Sequence, residues 1–156
     1  MRSLLIDCKK IEMLAGKIYK LLGDDEAYAN EVRKVFQKLS DDERAHARHI
    51  DLVLQGNEEE VDASQMIAGE KISQAVTLAE SFFQKVEREK LGEENALRLA
   101  VDMEQQFIKV HVQNALHFHN LKLAELFNQL GREDEAHLNT LRECLQWWHA
   151  ERKKKA

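Results

Sequence analysis

A helix packed in a left-handed bundle buries positions that recur at alternating steps of three and four. Four stretches of this chain keep that rhythm. The first would bury Leu5, Cys8, Glu12, Ala15, Tyr19 and Leu22, and the second Val32, Phe36, Leu39, Glu43, His46, Ile50 and Val53. The third reads Leu97, Ala100, Glu104, Phe107, His111, Asn114 and Phe118. The fourth reads Leu123, Phe127, Leu130, Asp134, His137, Leu141, Cys144 and Trp148. A looser stripe lies between the second and third: Ile67, Ile72, Val76, Ala79, Phe83 and Val86, with Phe82 beside it. Breaks fall where a glycine precedes polar, mostly acidic residues: Gly23 before Asp24 and Asp25, Gly56 before Asn57 and Glu58, Gly92 before Glu93. Asn120 reads as a helix N-cap. These marks predict five helices, over about residues 3–22, 26–55, 63–90, 94–116 and 121–150. The chain has no proline and six glycines in 156 residues, which speaks against a turn-rich sandwich or barrel. The predicted fold class is all-α.

An internal repeat organises the helices. Residues 35–46, from Val35 to His46, align without gaps on residues 126–137, from Leu126 to His137. Ile11 and Glu12, then Lys17 to Tyr19, align likewise on Met103 and Glu104, then Lys109 to His111. The pattern is that of a duplicated helix hairpin. The predicted architecture is a four-helix bundle of two hairpins, joined by a long crossover (about residues 56–93) that carries its own helix. At this length the expectation is one domain over residues 1–156.

Each of the four seams places an acid in a mostly apolar stripe, and two add a histidine three residues later. Burying an unpaired carboxylate costs several kcal/mol or forces it to protonate. Four at one level of a bundle would repel one another, and no lysine or arginine occupies the seams near Glu12, Glu43, Glu104 and Asp134. Two divalent cations would neutralise four carboxylates, and two neutral imidazoles would complete the ligand set. An inward Glu from each of two helices, with acid-x-x-His from the other two, is the ligand pattern of di-iron and di-manganese bundles. The i, i+3 spacing sets acid and imidazole on one helix face. Carboxylate oxygen with imidazole suits iron or manganese, and zinc by ligand type. Two bridged metals with open positions can bind dioxygen or peroxide.

The pattern Glu12-x-x-Ala15-x-x-x-Tyr19, then Glu43 to Ala47 (Glu-Arg-Ala-His-Ala), then Glu104, then Asp134-x-x-His137 resembles rubrerythrin-like members of the ferritin-like superfamily. The resemblance covers residues 5–55 and 94–146, but not the crossover helix. It implies a non-haem di-iron centre held by Glu12, Glu43, His46, Glu104, Asp134 and His137, acting on iron with oxygen or peroxide. Tyr19 and His111 would orient carboxylates or pass protons. There are departures. No Cys-x-x-Cys pair is present, so the rubredoxin-type iron domain of full rubrerythrins is missing and electrons for peroxide reduction would need an external donor. Phe107 stands where some rubrerythrins carry an additional acid. Asp134 replaces the usual Glu, and His111 stands where the first hairpin has Tyr19. Glu133 and Glu135 flank Asp134 but are each turned about 100° from the seam.

Other readings stay open. A metal-stabilised or metal-free bundle could serve as a structural or interaction module. An organic-substrate oxygenase would need a cavity beside the metals, against which the bulk of Phe36, Phe107 and Phe127 argues. Cys8 and Cys144 read as small core hydrophobes. His49, His117, His119 and His149 lie off the repeated ligand positions and are expected at the surface. Trp147 and Trp148 would anchor the last helix or face a partner. A net charge of −5 gives no footprint for nucleic acid. No 18-residue apolar run and no leader pattern is seen, so no membrane association and a cytoplasmic location are expected. The crossover stripe could pack across the bundle or against a second copy; a homodimer is expected by analogy with the superfamily.

Overall fold

A computed structural model describes residues 2–56, 63–116 and 118–156. The predicted break at Asn57 and Glu58, the placement of His117 and the side chain of Ile67 lie outside what it describes. Five helices follow in order: α1 (Arg2–Gly23), α2 (Asn30–Gly56), α3 (Ala63–Arg88), α4 (Glu93–Ala115) and α5 (Leu121–Lys155). No strand occurs among the described residues. α1 pairs with α2 and α4 with α5, and the two hairpins meet through α2 and α5. α3 packs on α1 and α4. This is the predicted all-α bundle of two hairpins with a crossover helix.

The apolar seams close on one core drawn from all five helices. Ile11, Ile18, Phe36, Leu39, Leu97 and Phe127 are among its fully buried side chains. Each such side chain contributes about 1.5–3 kcal/mol relative to exposure. Of the crossover stripe, Ile72, Val76 and Ala79 are buried, while Phe83 and Val86 pack at the rim. α3 therefore uses its stripe within the chain, across the bundle. Gly131 of α5 permits a close approach to α4: a Cβ there would stand 2.8 Å from Val112 Cγ2.

Two helix ends differ from expectation, each for a local reason. α2 begins at Asn30 rather than near Glu26. The Asp25 side chain accepts a hydrogen bond from Ala27 N, and Tyr28 N donates to Asp25 O, which holds a turn where the helix was expected. That turn is tied to α4: Tyr28 donates to Leu91 O at 2.7 Å, and Ala29 N donates to the Glu93 carboxylate. α5 runs on to Lys155. Its basic last turn complements the negative end of the helix dipole, and Lys154 pairs with Glu151 at 2.7 Å. At its start Asn120 is the N-cap, accepting from Lys122 N and Leu123 N. Trp148 anchors α5, with Nε1 donating to Glu93 at 2.6 Å and Arg152 lying over its ring. No helix among the described residues is long and apolar enough to cross a membrane.

Candidate metal centre

Four helices converge on one level of the bundle. α1 brings Glu12, α2 Glu43 and His46, α4 Glu104, and α5 Asp134 and His137. All six are at most 7% exposed. The i, i+3 spacing stands each histidine beside its own acid, and the two imidazoles stack with centroids 5.5 Å apart. His46 Nδ1 lies 3.2 Å from Glu12 Oε2 and 3.0 Å from Glu43 Oε2. His137 Nδ1 lies 3.1 Å from Glu43 Oε1 and 3.6 Å from Glu104 Oε1. Donor atoms of Glu12, Glu43 and His46 fall within 4.8 Å of one another, as do those of Glu43, Glu104, Asp134 and His137. Glu43 belongs to both groups.

Tyr19 and His111 border the same level. The Tyr19 hydroxyl donates to Glu104 Oε1. His111 Nδ1 lies 2.6 Å from Asp134 Oδ2, and its Nε2 lies 3.3 Å from Glu12 Oε1. All eight residues singled out in the sequence thus come together.

Two further residues join them that the seam pattern had set aside. Glu133 Oε2 lies 2.7 Å from His46 Nε2, and Asp42 Oδ2 lies 3.4 Å from His137 Nε2. Each acid precedes the seam acid of its own hairpin and meets the histidine of the other. Their seam phase is off, but at the α2–α5 boundary a side chain reaches sideways to the opposite imidazole. The repeat carried the signal, since the 91-residue offset that maps Glu43 on Asp134 also maps Asp42 on Glu133.

The electrostatics are frustrated. Burial pushes the Glu43, Glu104 and Asp134 carboxyls up, with the Glu12 charge adding to the rise at Glu43. Burial acts on Glu12 too, but the contacts to His111 and His46 outweigh it and lower its pKa. Burial opposes the charged form of the histidines. Contacts to Glu12 and Glu43 override this at His46, raising it to about 11, and contacts to Glu104 and Glu43 raise His137 to about 10. Burial and the Glu104 charge push the Tyr19 phenol well up, so it stays a donor. Among the described residues no lysine or arginine pairs with the seam acids; their ion pairs are all with imidazoles.

A pair of divalent ions fits this donor set. Glu43 Oε1, Glu104 Oε2 and His137 Nδ1 are buried without a hydrogen-bond partner among the described residues, although Glu43 Oε1 and His137 Nδ1 lie 3.1 Å apart. Buried polar atoms are nearly always satisfied, and orphans on three residues of one donor group call for a cation. Both imidazoles turn Nδ1 inward and set Nε2 against an outer carboxylate, the placement that orients metal-ligating histidines.

Comparison with known proteins agrees with this chemistry. The family model described as Rubrerythrin matches residues 4–145. No curated protein and no solved structure matches the chain. Because the family match runs through both hairpins and takes in every residue of the cluster, the chain belongs to the rubrerythrin family.

Proposed function

We propose that residues 1–156 form one di-iron domain that acts on iron with oxygen or peroxide, as a ferroxidase- or peroxidase-type oxidoreductase. Glu12, Glu43, His46, Glu104, Asp134 and His137 would hold the two ions, and Glu43 belongs to both donor groups. The observation that carries this reading is the meeting of two donor groups at Glu43, each with its own imidazole, in a pocket of orphaned carboxylate oxygens. Bound iron would supply two-electron redox chemistry toward oxygen or peroxide.

The chain's own groups bind, orient and hold protons. Glu133 and Asp42 face the Nε2 atoms of His46 and His137 and would favour the tautomers that leave Nδ1 as the ligand atom. Tyr19 donates to Glu104, so one carboxylate oxygen is held while the other stays available. His111 holds Asp134 through Nδ1. Phe36, Phe107 and Phe127 are buried and add apolar bulk to the bundle interior. Manganese and zinc share much of this donor chemistry, and metal analysis separates them. The electrons for peroxide reduction would come from a donor outside residues 1–156. A homodimer in the cytoplasm completes the proposal.

The test is elemental analysis after anaerobic loading with ferrous ion. About two irons per chain are expected, with the loss of both in Glu43→Ala, followed by oxygen and peroxide turnover of the loaded protein. A chain that binds no metal would refute the proposal and leave a structural or partner-binding bundle.

A further inference from the structure

Cys8, Glu12 and His111 form a group that the centre does not use up. Cys8 lies one helical turn before Glu12 on α1, and His111 faces both from α4. All three are at most 2% exposed, and their donor atoms lie within 4.8 Å of one another. His111 Nε2 is 3.8 Å from Cys8 Sγ and 3.3 Å from Glu12 Oε1. Glu12 Oε1 has no hydrogen-bond partner among the described residues, while Glu12 Oε2 faces His46 in the centre.

The other nitrogen of His111 decides what this group can do. Nδ1 sits 2.6 Å from Asp134 Oδ2, so it carries a proton and donates. Nε2 is the ring nitrogen left to face Cys8 and Glu12. A divalent ion among Sγ, Nε2 and Oε1 would satisfy the orphaned, buried Glu12 oxygen. Burial pushes the Cys8 thiol up, so a thiolate forms here only with a cation beside it.

We propose that Cys8, Glu12 and His111 bind one zinc-class divalent ion at a site separate from the di-iron centre. One thiolate and one carboxylate cancel the ion's charge, and the imidazole is the third ligand. Carboxylate-backed imidazole with thiolate is a zinc donor set, whereas the sulfur-free centre suits iron. The two ligand sets sort metals by softness inside one bundle. On binding, the S–H bond breaks, its proton leaves to solvent and a sulfur–metal bond forms, with no change of oxidation state. The site shares Glu12 with the proposed centre, but its argument does not require iron there.

Cobalt(II) added to the metal-free full chain is the test, because it stands in for zinc and reports thiolate ligation as a near-ultraviolet charge-transfer band. The Cys144→Ser protein leaves Cys8 as the only thiol, so a band in that protein arises from Cys8 alone. The expected result is a band that saturates at one cobalt per chain in wild type and Cys144→Ser. It should be abolished in Cys8→Ala, with total uptake falling from three ions to two. His111→Gln, checked for helicity by circular dichroism, should weaken the band-forming ion by at least tenfold. An imidazolium at His111 donating to both Asp134 and Glu12 would satisfy the same atoms without metal. In that case Cys144→Ser would show no band at any cobalt ratio, and the proposal would be overturned. Uptake of two cobalts without a band removes this site and leaves the centre standing. A band with a single cobalt bound does the reverse.

Discussion

Glu43→Gln probes the point where the two donor groups meet, and it should act oppositely on the metal-free and loaded protein. Glu43 is 1% exposed, with its oxygens 3.0 Å from His46 Nδ1 and 3.1 Å from His137 Nδ1. Burial and the neighbouring Glu12 charge hold its carboxyl well above the usual carboxylate range. That direction favours the uncharged carboxyl in the metal-free protein, whose shape and charge glutamine reproduces. The expected cost is that of one rearranged hydrogen bond, at most about 1 kcal/mol, or about 2–4 °C in melting temperature for a domain of this size. Metal changes the comparison. An ion at about 100 times its dissociation constant adds about 2.7 kcal/mol, so two ions raise the melting temperature by about 10–20 °C. The variant has lost a ligand common to both and should show almost none of that rise. Calorimetry on chelator-treated and anaerobically iron-loaded samples measures both quantities. A metal-free variant that melts 10 °C or more below wild type would mean that Glu43 is ionised and structural. A variant that keeps the full metal-induced rise would mean that Glu43 is not shared. Either result refutes the reasoning.

Other consequences can be checked separately. Tyr19→Phe removes the donor to Glu104 and should weaken metal binding by about 10–100-fold in chelator competition; unchanged affinity would take Tyr19 out of the site's support. Glu133→Gln should weaken binding more than Asp42→Asn, because the first contact is 2.7 Å and the second 3.4 Å; the opposite order would mean that these acids do not orient the histidines. Raised histidines stabilise the folded state fully below about pH 6.5, and that contribution is lost as pH rises through about 10 for His137 and about 11 for His46. Raised Glu43, Glu104 and Asp134 carry the same sign, and the lowered Glu12 loses its contribution only in acid. The metal-free protein should therefore melt at a lower temperature at pH 9 than at pH 6.5, and a flat or rising profile would contradict the assignment of charges.

The seams were legible because burial of a charge is expensive. An acid at a core position of a regular heptad pattern stands out, and four in duplicated hairpins mark one level of a bundle. Helix ends that depend on distant partners were not legible. Nothing near residue 26 reveals that Ala29 N donates to Glu93, 64 residues away. Glu133 and Asp42 were hidden for another reason. Seam phase assigns a side chain to a face, but at a helix–helix boundary a carboxylate reaches across to the next helix. Cys8 read as a core hydrophobe because its sequence neighbours are apolar or charged helix formers. Its relation to His111 spans 103 positions and exists only once α1 and α4 are side by side.

The placement of α3 along α1 and α4, and not along α2 and α5, gives the bundle a covered flank and a bare one. Behind the covered flank Glu12, Glu104 and His111 are at most 2% exposed. On the bare flank Asp42 and Glu133 keep 33% and 38% side-chain exposure while they touch the imidazoles. A solute approaching along this flank meets Glu133 and Asp42, the latter paired with Lys38, beside the imidazoles. With Asp42 offset by Lys38, the Glu133 carboxylate is what favours cations there, and added salt screens that attraction over about 8–10 Å. Capture rate and holding strength are thus set in different places: ionic strength slows arrival along α2 and α5, while the sealed interior governs how long an ion stays.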